Sequence, residues 1–287
     1  MTRFPDDPIA IIDLMSVPDL SRMRTVSSRQ NSLVKELRKA FSQAEPTADG
    51  YIAIEGLRII EEAIRSGLRF RALFLSVSGS AQGGRLAPQM ADNVEILLLP
   101  DEVFASSVAT ETPQGVAALV KLKGFDFKEI LNDPSKEMTV LGTVGIQDPG
   151  NLGTIIRSAE AFSVRAVLLG PKTVSHFNPK VVRASAGSVF RERIMRVPML
   201  SESIRLLKAY DFHVIGASSH KGKPMEQADL TGRVALLIGS EGAGLPPDIL
   251  AEANELIKIP HSDKVESLNA GVAASILLYE AARQRRT

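Results

Sequence analysis

The chain has 287 residues, of which 44% are hydrophobic and 23% are charged, and its formal net charge is +1. This length suits one large or two ordinary domains, and the composition is that of a globular protein with a sizeable core. The absence of cysteine excludes disulfides, a thiol nucleophile and a thiolate metal site. Four scattered histidines lack the His-x-x-x-His spacing of a zinc enzyme, so no metal is predicted.

The N-terminal region carries neither a membrane span nor a secretory signal. No apolar run approaches the roughly 20 residues that cross a bilayer. Asp6, Asp7 and Asp13 interrupt the first apolar stretch, which is unlike a signal peptide. We therefore predict a cytoplasmic protein with no membrane partner, in which residues 1–21 form an arm without an assigned function.

The near-zero net charge hides three basic stretches. Residues 22–39 contain six basic residues against one acid, Glu36. Residues 63–91 contain four arginines, and residues 161–191 contain five basic residues, with no acid in either stretch. A solvated surface explains any one stretch equally well, but three of them favour a nucleic acid as the partner.

Residues 22–124 alternate short strands and helices, which predicts a compact α/β domain. Ser28 is a candidate cap for a helix from Arg29 to Ser42, whose apolar residues fall on one stripe. The other elements predicted in this domain are helices at Leu57–Arg65 and Asp101–Ser107 and strands at Tyr51–Ile54, Ala72–Leu75, Val94–Leu98 and Val116–Val120. Residues 125–137 are predicted to be a helical linker that ends in a turn.

Residues 138–287 predict a second domain with a parallel sheet. Its strand candidates are short and strongly apolar, and helical patterns separate most of them, which is typical of a sheet covered on both faces. The predicted strands are Val140–Val144, Ala166–Leu169, Ile194–Val197, His213–Gly216, Val234–Ile238 and Leu256–Ile259.

Polar and glycine-rich segments follow three of these strands, where an open α/β sheet forms its binding crevice. The first segment runs from Gln147 to Arg157 and opens a helix at Pro149. Asn151 lies near the start of that helix and is equally well explained as a cap. Arg157 lies about two turns later, and a surface arginine is the simpler explanation when it is considered alone.

The second segment is the turn Gly239–Pro247, and the third is the loop that leads to the last helix. Glu241 follows the glycine turn, where an acid near the start of a helix at Pro246 or Pro247 would complement the helix dipole. Ser267 is a good N-cap for the last helix, and Asn269 fits a polar first-turn position. No Gly-x-Gly-x-x-Gly or Gly-Lys-Ser/Thr pattern is present, which argues against a dinucleotide or a nucleoside triphosphate.

Taken together, the three segments resemble the SpoU/TrmH family of SPOUT RNA methyltransferases. The matching motifs are Asp148-Pro149-Gly150-Asn151-Leu152-Gly153 with Arg157, Leu237-Ile238-Gly239-Ser240-Glu241-Gly242-Ala243-Gly244-Leu245, and Ile259-Pro260 with Glu266-Ser267-Leu268-Asn269. Residues 22–124 resemble the L30e-like substrate-binding domain often attached in this family, with Thr112-Pro113 where histidine is common. Ser158, Ser163 and Ala270-Gly271 are further departures, and these small-residue exchanges leave the expected chemistry intact.

The resemblance implies a C-terminal SPOUT domain with a deep trefoil knot, an exception to the general avoidance of knots. It also implies a homodimer that uses S-adenosylmethionine to methylate a ribose 2′-hydroxyl in rRNA or tRNA. The implied cofactor-binding residues are Gly239, Gly244, Ile259, Leu268, Ser218 and Asn269. The implied catalytic residues are Arg157, Glu241 and Ser267, with Asn151 orienting the arginine. The residues predicted to contact RNA are Arg29, Asn31, Lys180 and Arg183.

The last helix is also predicted to contribute to the dimer interface. Leu268, Val272, Ile276, Leu277 and Tyr279 are more apolar than a solvent-facing terminal helix requires, although the stripe could pack within its own subunit.

Two functions of other classes compete with this interpretation. A non-catalytic RNA-binding protein on the same fold would be favoured by the loss of Arg157, Glu241 or Asn269, and all three are present. An unrelated α/β nucleotide-binding enzyme would need a phosphate loop after its first strand, and Gly150–Gly153 is not one.

Overall fold

The computed structural model describes residues 22–286, which form two β-sheets with helices packed against each. The predicted arm of residues 1–21 lies outside the described residues. The first sheet belongs to the unit of residues 22–124 and the second to the unit that begins at the linker. The mixed α/β class predicted from the sequence is confirmed.

The first sheet has five strands in the order β1-β4-β3-β5-β2. Strands β1, β4 and β3 are mutually parallel, whereas β5 is antiparallel to both β3 and β2. The strands are β1 (Met23–Thr25), β2 (Ile52–Glu55), β3 (Arg69–Ser76), β4 (Glu95–Leu99) and β5 (Val116–Lys121). The sequence indicated all of these except β1, which has only three residues and no apolar alternation.

Four helices accompany the first sheet: α1 (Ser32–Gln43), α2 (Leu57–Arg65), α3 (Ser80–Gly83) and α4 (Asp101–Ala105). A 3₁₀ turn follows α3 at Gly84–Gln89. Buried residues of α1 and α4 cover one face of the sheet, and those of α2 and the 3₁₀ turn cover the other. The prediction that Ser28 caps α1 is wrong. Asn31 caps it, because its side-chain oxygen accepts from the amides of Leu33 and Val34 at 3.0 and 3.4 Å.

The second sheet has seven strands in the order β10-β12-β9-β11-β6-β7-β8, and every pair is parallel. The strands are β6 (Met138–Thr143), β7 (Ala166–Leu169), β8 (Ile194–Arg196), β9 (His213–Ala217), β10 (Lys223–Pro224), β11 (Arg233–Ile238) and β12 (Glu255–Lys258). Every residue of β6 and β7 is buried, as expected for strands covered on both faces. The predicted parallel sheet is confirmed, and only the two-residue edge strand β10 was missed.

Six helices cover this sheet: α5 (Phe127–Leu131), α6 (Pro149–Ala161), α7 (Pro179–Ala184), α8 (Leu200–Ala209), α9 (Pro247–Leu250) and α10 (Ala270–Gln284). Buried residues of α6, α7 and α10 pack on one face, and those of α5, α8 and α9 pack on the other. The apolar cluster on the α6 side also contains residues of α2, β2 and β3, so it continues without a break into the first unit.

The predicted linker is attached firmly to the second unit. Ile130 and Leu131 of α5 are buried in the core on the α8 side. The guanidinium of Arg233, at the start of β11, donates to the carbonyls of Ile130, Leu131, Asp133 and Ser135. It also lies 4.4 Å from the centroid of the Phe212 ring, in a cation–π contact. These bonds satisfy carbonyls that the end of a short helix leaves without partners.

Two searches of residues 22–286 bear on membrane and metal binding. No helix in that range is long and apolar enough to cross a bilayer. Within the same range, no group of three or more His, Cys, Asp or Glu side chains is placed to hold a metal ion.

Candidate active site

A cavity of about 270 Å³ opens at the carboxyl ends of β9, β11 and β12. This is the edge at which open parallel sheets bind their ligands. Five of the six predicted cofactor residues line it, and so do the predicted catalytic residues Glu241 and Ser267. The five are Ser218, Gly239, Gly244, Ile259 and Leu268. The sixth, Asn269, lies immediately beyond the cavity wall, between the lining residues Leu268 and Ala270.

The glycine turn after β11 forms one wall of the cavity and folds tightly back on itself. The amide of Gly244 donates to the carbonyl of Ser240 at 2.9 Å, and Gly244 has a positive φ of 65°. A Cβ atom added to Gly239 would lie 2.1 Å from the carbonyl carbon of Gly244, so only glycine fits there. Gly242 has no atom within 4 Å of its Cβ position, so the requirement belongs to Gly239 and not to the whole turn.

A hydrogen-bond network joins the three segments that follow β6, β11 and β12. Oε1 of Glu241 accepts from Nδ2 of Asn151 at 2.8 Å, from Nδ2 of Asn269 at 2.7 Å, and from the amide of Ala270 at 3.0 Å. Nδ2 of Asn269 also donates to Oδ1 of Asn151 at 2.8 Å. One carboxylate therefore holds together two helix starts and the glycine turn, although these residues are far apart in sequence.

The helix caps at the site differ from two of the predictions. Asp148 caps α6 by accepting from the amide of Asn151 at 2.8 Å, so Asn151 is free to contact Glu241. Asn269 caps α10 by accepting from the amide of Val272 at 3.2 Å. The prediction of Ser267 as the cap of the last helix is therefore wrong. The Ser267 side chain lines the cavity instead.

Arg157 lies on the exposed face of α6, away from the network. Its guanidinium makes no hydrogen bond or ion pair with any residue between 22 and 286. The prediction that Asn151 orients this arginine is not supported, because the Asn151 amide is engaged by Glu241 and Asn269. The next residue, Ser158, bonds to Ser275 of α10 at 2.7 Å, so Arg157 sits beside the seam between the two helices.

The surface beside Arg157 is unusually apolar. Val272 and Tyr279 of α10 are 47% and 54% exposed, and the Tyr279 ring meets Phe162 edge-to-face with centroids 5.9 Å apart. One member of the predicted dimer stripe does not belong to this surface. Leu277 is only 1% exposed and packs inside its own subunit, where it also lines the cavity.

Some residues that line the cavity were not predicted from the sequence. His220 and His261 face it from the loops after β9 and β12, and Nδ1 of His261 pairs with the carbonyl of Ile259 at 2.7 Å. Leu245 and Leu250 supply part of its apolar lining. The position of both histidines just after sheet strands is the signal that would have identified them.

The four residues predicted to contact RNA have different surroundings. Lys180 and Arg183 project from the exposed face of α7, and Arg29 is exposed ahead of α1. None of these three has an acidic partner among residues 22–286. Asn31 is occupied as the cap of α1. By contrast, most arginines of the acid-free stretches pair with acids from elsewhere: Arg65, Arg71, Arg165 and Arg191.

Comparison with known proteins gives the site its context. Residues 138–279 match the model of the SpoU rRNA Methylase family, and residues 31–118 match the MRM3-like substrate binding domain. The 23S rRNA (guanosine(2553)-2′-O)-methyltransferase RlmP of Bacillus subtilis is 32% identical over 257 residues, covering 90% of this chain and 98% of that protein. The chain belongs to the SpoU rRNA methylase family.

Solved SpoU-family structures share both units of the protein. The SpoU methyltransferase AviRb from Streptomyces viridochromogenes, in complex with AdoMet, superposes with a TM-score of 0.78 at 25% identity, covering 90% of this chain and 99% of that one. An AdoMet-bound rRNA methyltransferase from Sinorhizobium meliloti gives 0.77 at 28% identity, covering 91% and 98%. The fold and family predicted from the three motifs are confirmed.

Proposed function

We propose that this SpoU-family protein transfers a methyl group from S-adenosylmethionine to a ribose 2′-hydroxyl of ribosomal RNA. The observation that carries the proposal is the cavity at the ends of β9, β11 and β12, with Glu241 and Ser267 at its wall and Arg157 on the adjoining helix. The relative RlmP is named for 2′-O-methylation of 23S rRNA, which favours rRNA over tRNA.

The cavity fits S-adenosylmethionine in both shape and chemistry. Leu245, Ile257 and Leu277 are buried residues that give it apolar walls suited to a purine. Ser218 and Ser267 add hydroxyls that suit a ribose and an amino acid, and Gly239 lets the backbone approach closely. When bound, this cofactor supplies an electrophilic methyl group on a sulfonium, so the protein has no charged nucleophile of its own to provide.

Arg157 is the residue we propose to act on the acceptor. A ribose hydroxyl is a weak nucleophile near neutral pH, and negative charge develops on its oxygen as it reacts. A guanidinium stays protonated in proteins. Arg157 therefore acts as a donor that stabilises the developing oxyanion, and Ser267 relays the proton to solvent. Glu241, Asn151 and Asn269 act at one remove, by holding the three segments in register.

We further propose that the protein is a homodimer whose interface covers the surface around Val272 and Tyr279. Arg157 lies beside this surface and has no partner within residues 22–286, so a second copy would enclose the arginine and complete the site. Sedimentation is expected to give a dimer at micromolar concentration, and Tyr279→Arg should dissociate it. A stable monomer would contradict this proposal. The deep knot also stays a prediction, and the cytoplasm is the proposed location.

RNA affinity is assigned to cationic side chains without acidic partners on both units. Arg29 on the first unit and Lys180 and Arg183 on α7 are exposed and available for phosphates. Asn31 has its side chain committed to the helix cap, so its contribution is restricted to fixing the start of α1. Binding should weaken steeply with added salt, because each phosphate contact releases counterions.

The experiment that tests the proposed function follows a labelled methyl group. The purified protein is incubated with methyl-labelled S-adenosylmethionine and unmethylated rRNA, and the RNA is digested to nucleosides for mass spectrometry. We expect the label on ribose 2′-oxygens, and no label with Arg157→Ala. Label on bases would overturn the assignment of the acceptor. Absence of label with every RNA tested, despite measurable cofactor binding, would favour the non-catalytic RNA-binding alternative.

A further inference from the structure

Arg191 joins the two units of the protein at a single point. It follows the buried 3₁₀ turn Ser188–Phe190 and reaches both sheets' helices. Its guanidinium donates to both carboxylate oxygens of Glu160 on α6, through Nε and through Nη2, the latter at 3.0 Å. Its Nη1 donates to Oε2 of Glu62 on α2 at 3.0 Å and to Oγ of Ser66 at 3.1 Å. One side chain thus ties the first unit to the helix that carries Arg157.

The backbone around Arg191 is shaped for this contact. Gly187 has a positive φ of 88°, and a Cβ atom added to it would lie 2.9 Å from Cβ of Glu62. The loop can therefore approach α2 closely only because residue 187 is glycine. Glu160 lies one helical turn after Arg157 on α6. A displacement at Glu160 is therefore passed directly to the position of Arg157.

The charges at this point make the arginine necessary. Glu62, Glu160 and the half-buried Glu192 surround it, and burial together with the charge of Glu160 raises the pKa of Glu192 to about 7. The hydrogen bond to Glu160 and the charges of both acids raise the pKa of Arg191. Without the arginine, Glu62 and Glu160 would repel each other across the junction.

The apolar contact between the units does not fix their orientation as well as this arginine does. Hydrophobic burial is non-directional, so α7 and α2 could slide or rotate over each other at little cost. A bidentate arginine–carboxylate pair is planar and sets both distance and angle. The bridge from Glu160 to Glu62 therefore supplies the directional part of the contact.

We propose that Arg191 is a positioning residue, which sets the orientation of the first unit relative to α6 so that RNA held by that unit presents its ribose to Arg157. The choice of RNA as substrate rests on the proposed function. The orientation of the two units does not, and it is measured separately.

The test uses the full-length protein with Arg191→Gln, compared with Arg191→Lys and with the control Arg205→Gln. Arg205 pairs with Glu252 at 2.8 Å in the second unit and touches neither α2 nor α6. The chain has no cysteine, so cysteines introduced at the exposed residues Asn93 and Ala209 accept spin labels at those two sites alone. The distance distribution between the labels reports the orientation of the units.

With Arg191→Gln we expect a broadened or shifted distance distribution, cofactor affinity within about twofold, and a kcat on RNA reduced by roughly 10- to 100-fold, the range for a small misplacement of reacting groups. The KM for RNA should change little, because the RNA-binding residues remain. Arg191→Lys keeps the charge without the planar fork and should be intermediate. Adding Glu62→Gln to Arg191→Gln should narrow the distribution again by removing the repulsion.

An unchanged distance distribution in Arg191→Gln would overturn the proposal, whatever the activity. A loss of cofactor affinity equal to the loss of kcat would also overturn it, since that pattern indicates general damage to the fold. If the wild-type protein methylated no RNA, the proposed function would fall, while an altered distribution in Arg191→Gln alone would still support the positioning role.

Discussion

Replacement of Glu241 tests the network that joins the three segments of the site. Its Oε1 accepts three hydrogen bonds, from Asn151, Asn269 and the amide of Ala270. Hydrogen bonds to a charged group contribute about 1.5–3 kcal/mol each when shielded, and exposure of this carboxylate reduces the figure to about 1 kcal/mol each. Glu241→Ala should therefore lower the free energy of unfolding by about 3 kcal/mol. Glu241→Gln keeps a neutral acceptor of roughly half the strength, so it should cost about half as much.

The assay for this prediction is thermal unfolding measured beside cofactor affinity. For a chain of this size, about 3 kcal/mol corresponds to a fall in Tm of roughly 6 °C. Cofactor affinity should fall in the same order, because the glycine turn and the start of α10 lose their common anchor. Glu226→Ala removes an exposed carboxylate outside the network and serves as the control. If Glu241→Ala melted within one degree of wild type with the same cofactor affinity, the network would have no anchoring role.

Three further outcomes are expected. Gly239→Ala should abolish cofactor binding in calorimetry, because its Cβ would lie 2.1 Å from the backbone of the same turn, whereas Gly242→Ala should bind normally; equal binding would refute the argument. Arg157→Ala should reduce single-turnover rates about 10²–10³-fold with cofactor affinity within a few fold, and Arg157→Lys should recover part of the rate; unchanged turnover would end the assignment. His176 is buried, and burial followed by the charge of Arg196 lowers its pKa to about 4. The unfolded chain then binds the proton first as pH falls below about 6.5, so stability should drop between about pH 6.5 and pH 4 by up to about 3 kcal/mol. Urea unfolding at pH 7 and pH 5 should show a smaller drop for His176→Gln, and an equal drop in both proteins would contradict the shift.

The sequence was most informative where burial is uniform. The strands β6, β7 and β11 are apolar along their whole length, and their positions were predicted to within two residues. The same patterns placed the glycine turn and the polar loops at strand ends, which is why most of the predicted cofactor residues line one cavity. Period and composition carry this information because a parallel sheet is buried on both faces.

Helix caps and contacts between distant segments could not be obtained in the same way. Ser28 and Asn31 are both good caps, as are Ser267 and Asn269, and the choice depends on which residue adopts extended backbone angles beside the first turn. The partner of Asn151 was mistaken for a related reason. Glu241 is 90 residues away along the chain, and no local pattern reports a bond of that length. The acid partners of the arginines in the basic stretches were missed likewise.

The strand order of the second sheet has a consequence for how the chain folds. Strand β11 lies between β9 and β6, although β6 precedes it by three other strands of the same sheet. During synthesis, β6, β7 and β8 leave the ribosome well before β11, and the edge of β6 that β11 will occupy stays open until residue 238 has emerged. Such non-local pairing makes folding slow and exposes apolar strand edges to aggregation. We therefore expect chains that end before β11 to aggregate, and the full-length protein to refold on the slower time scale of sheets dominated by distant contacts.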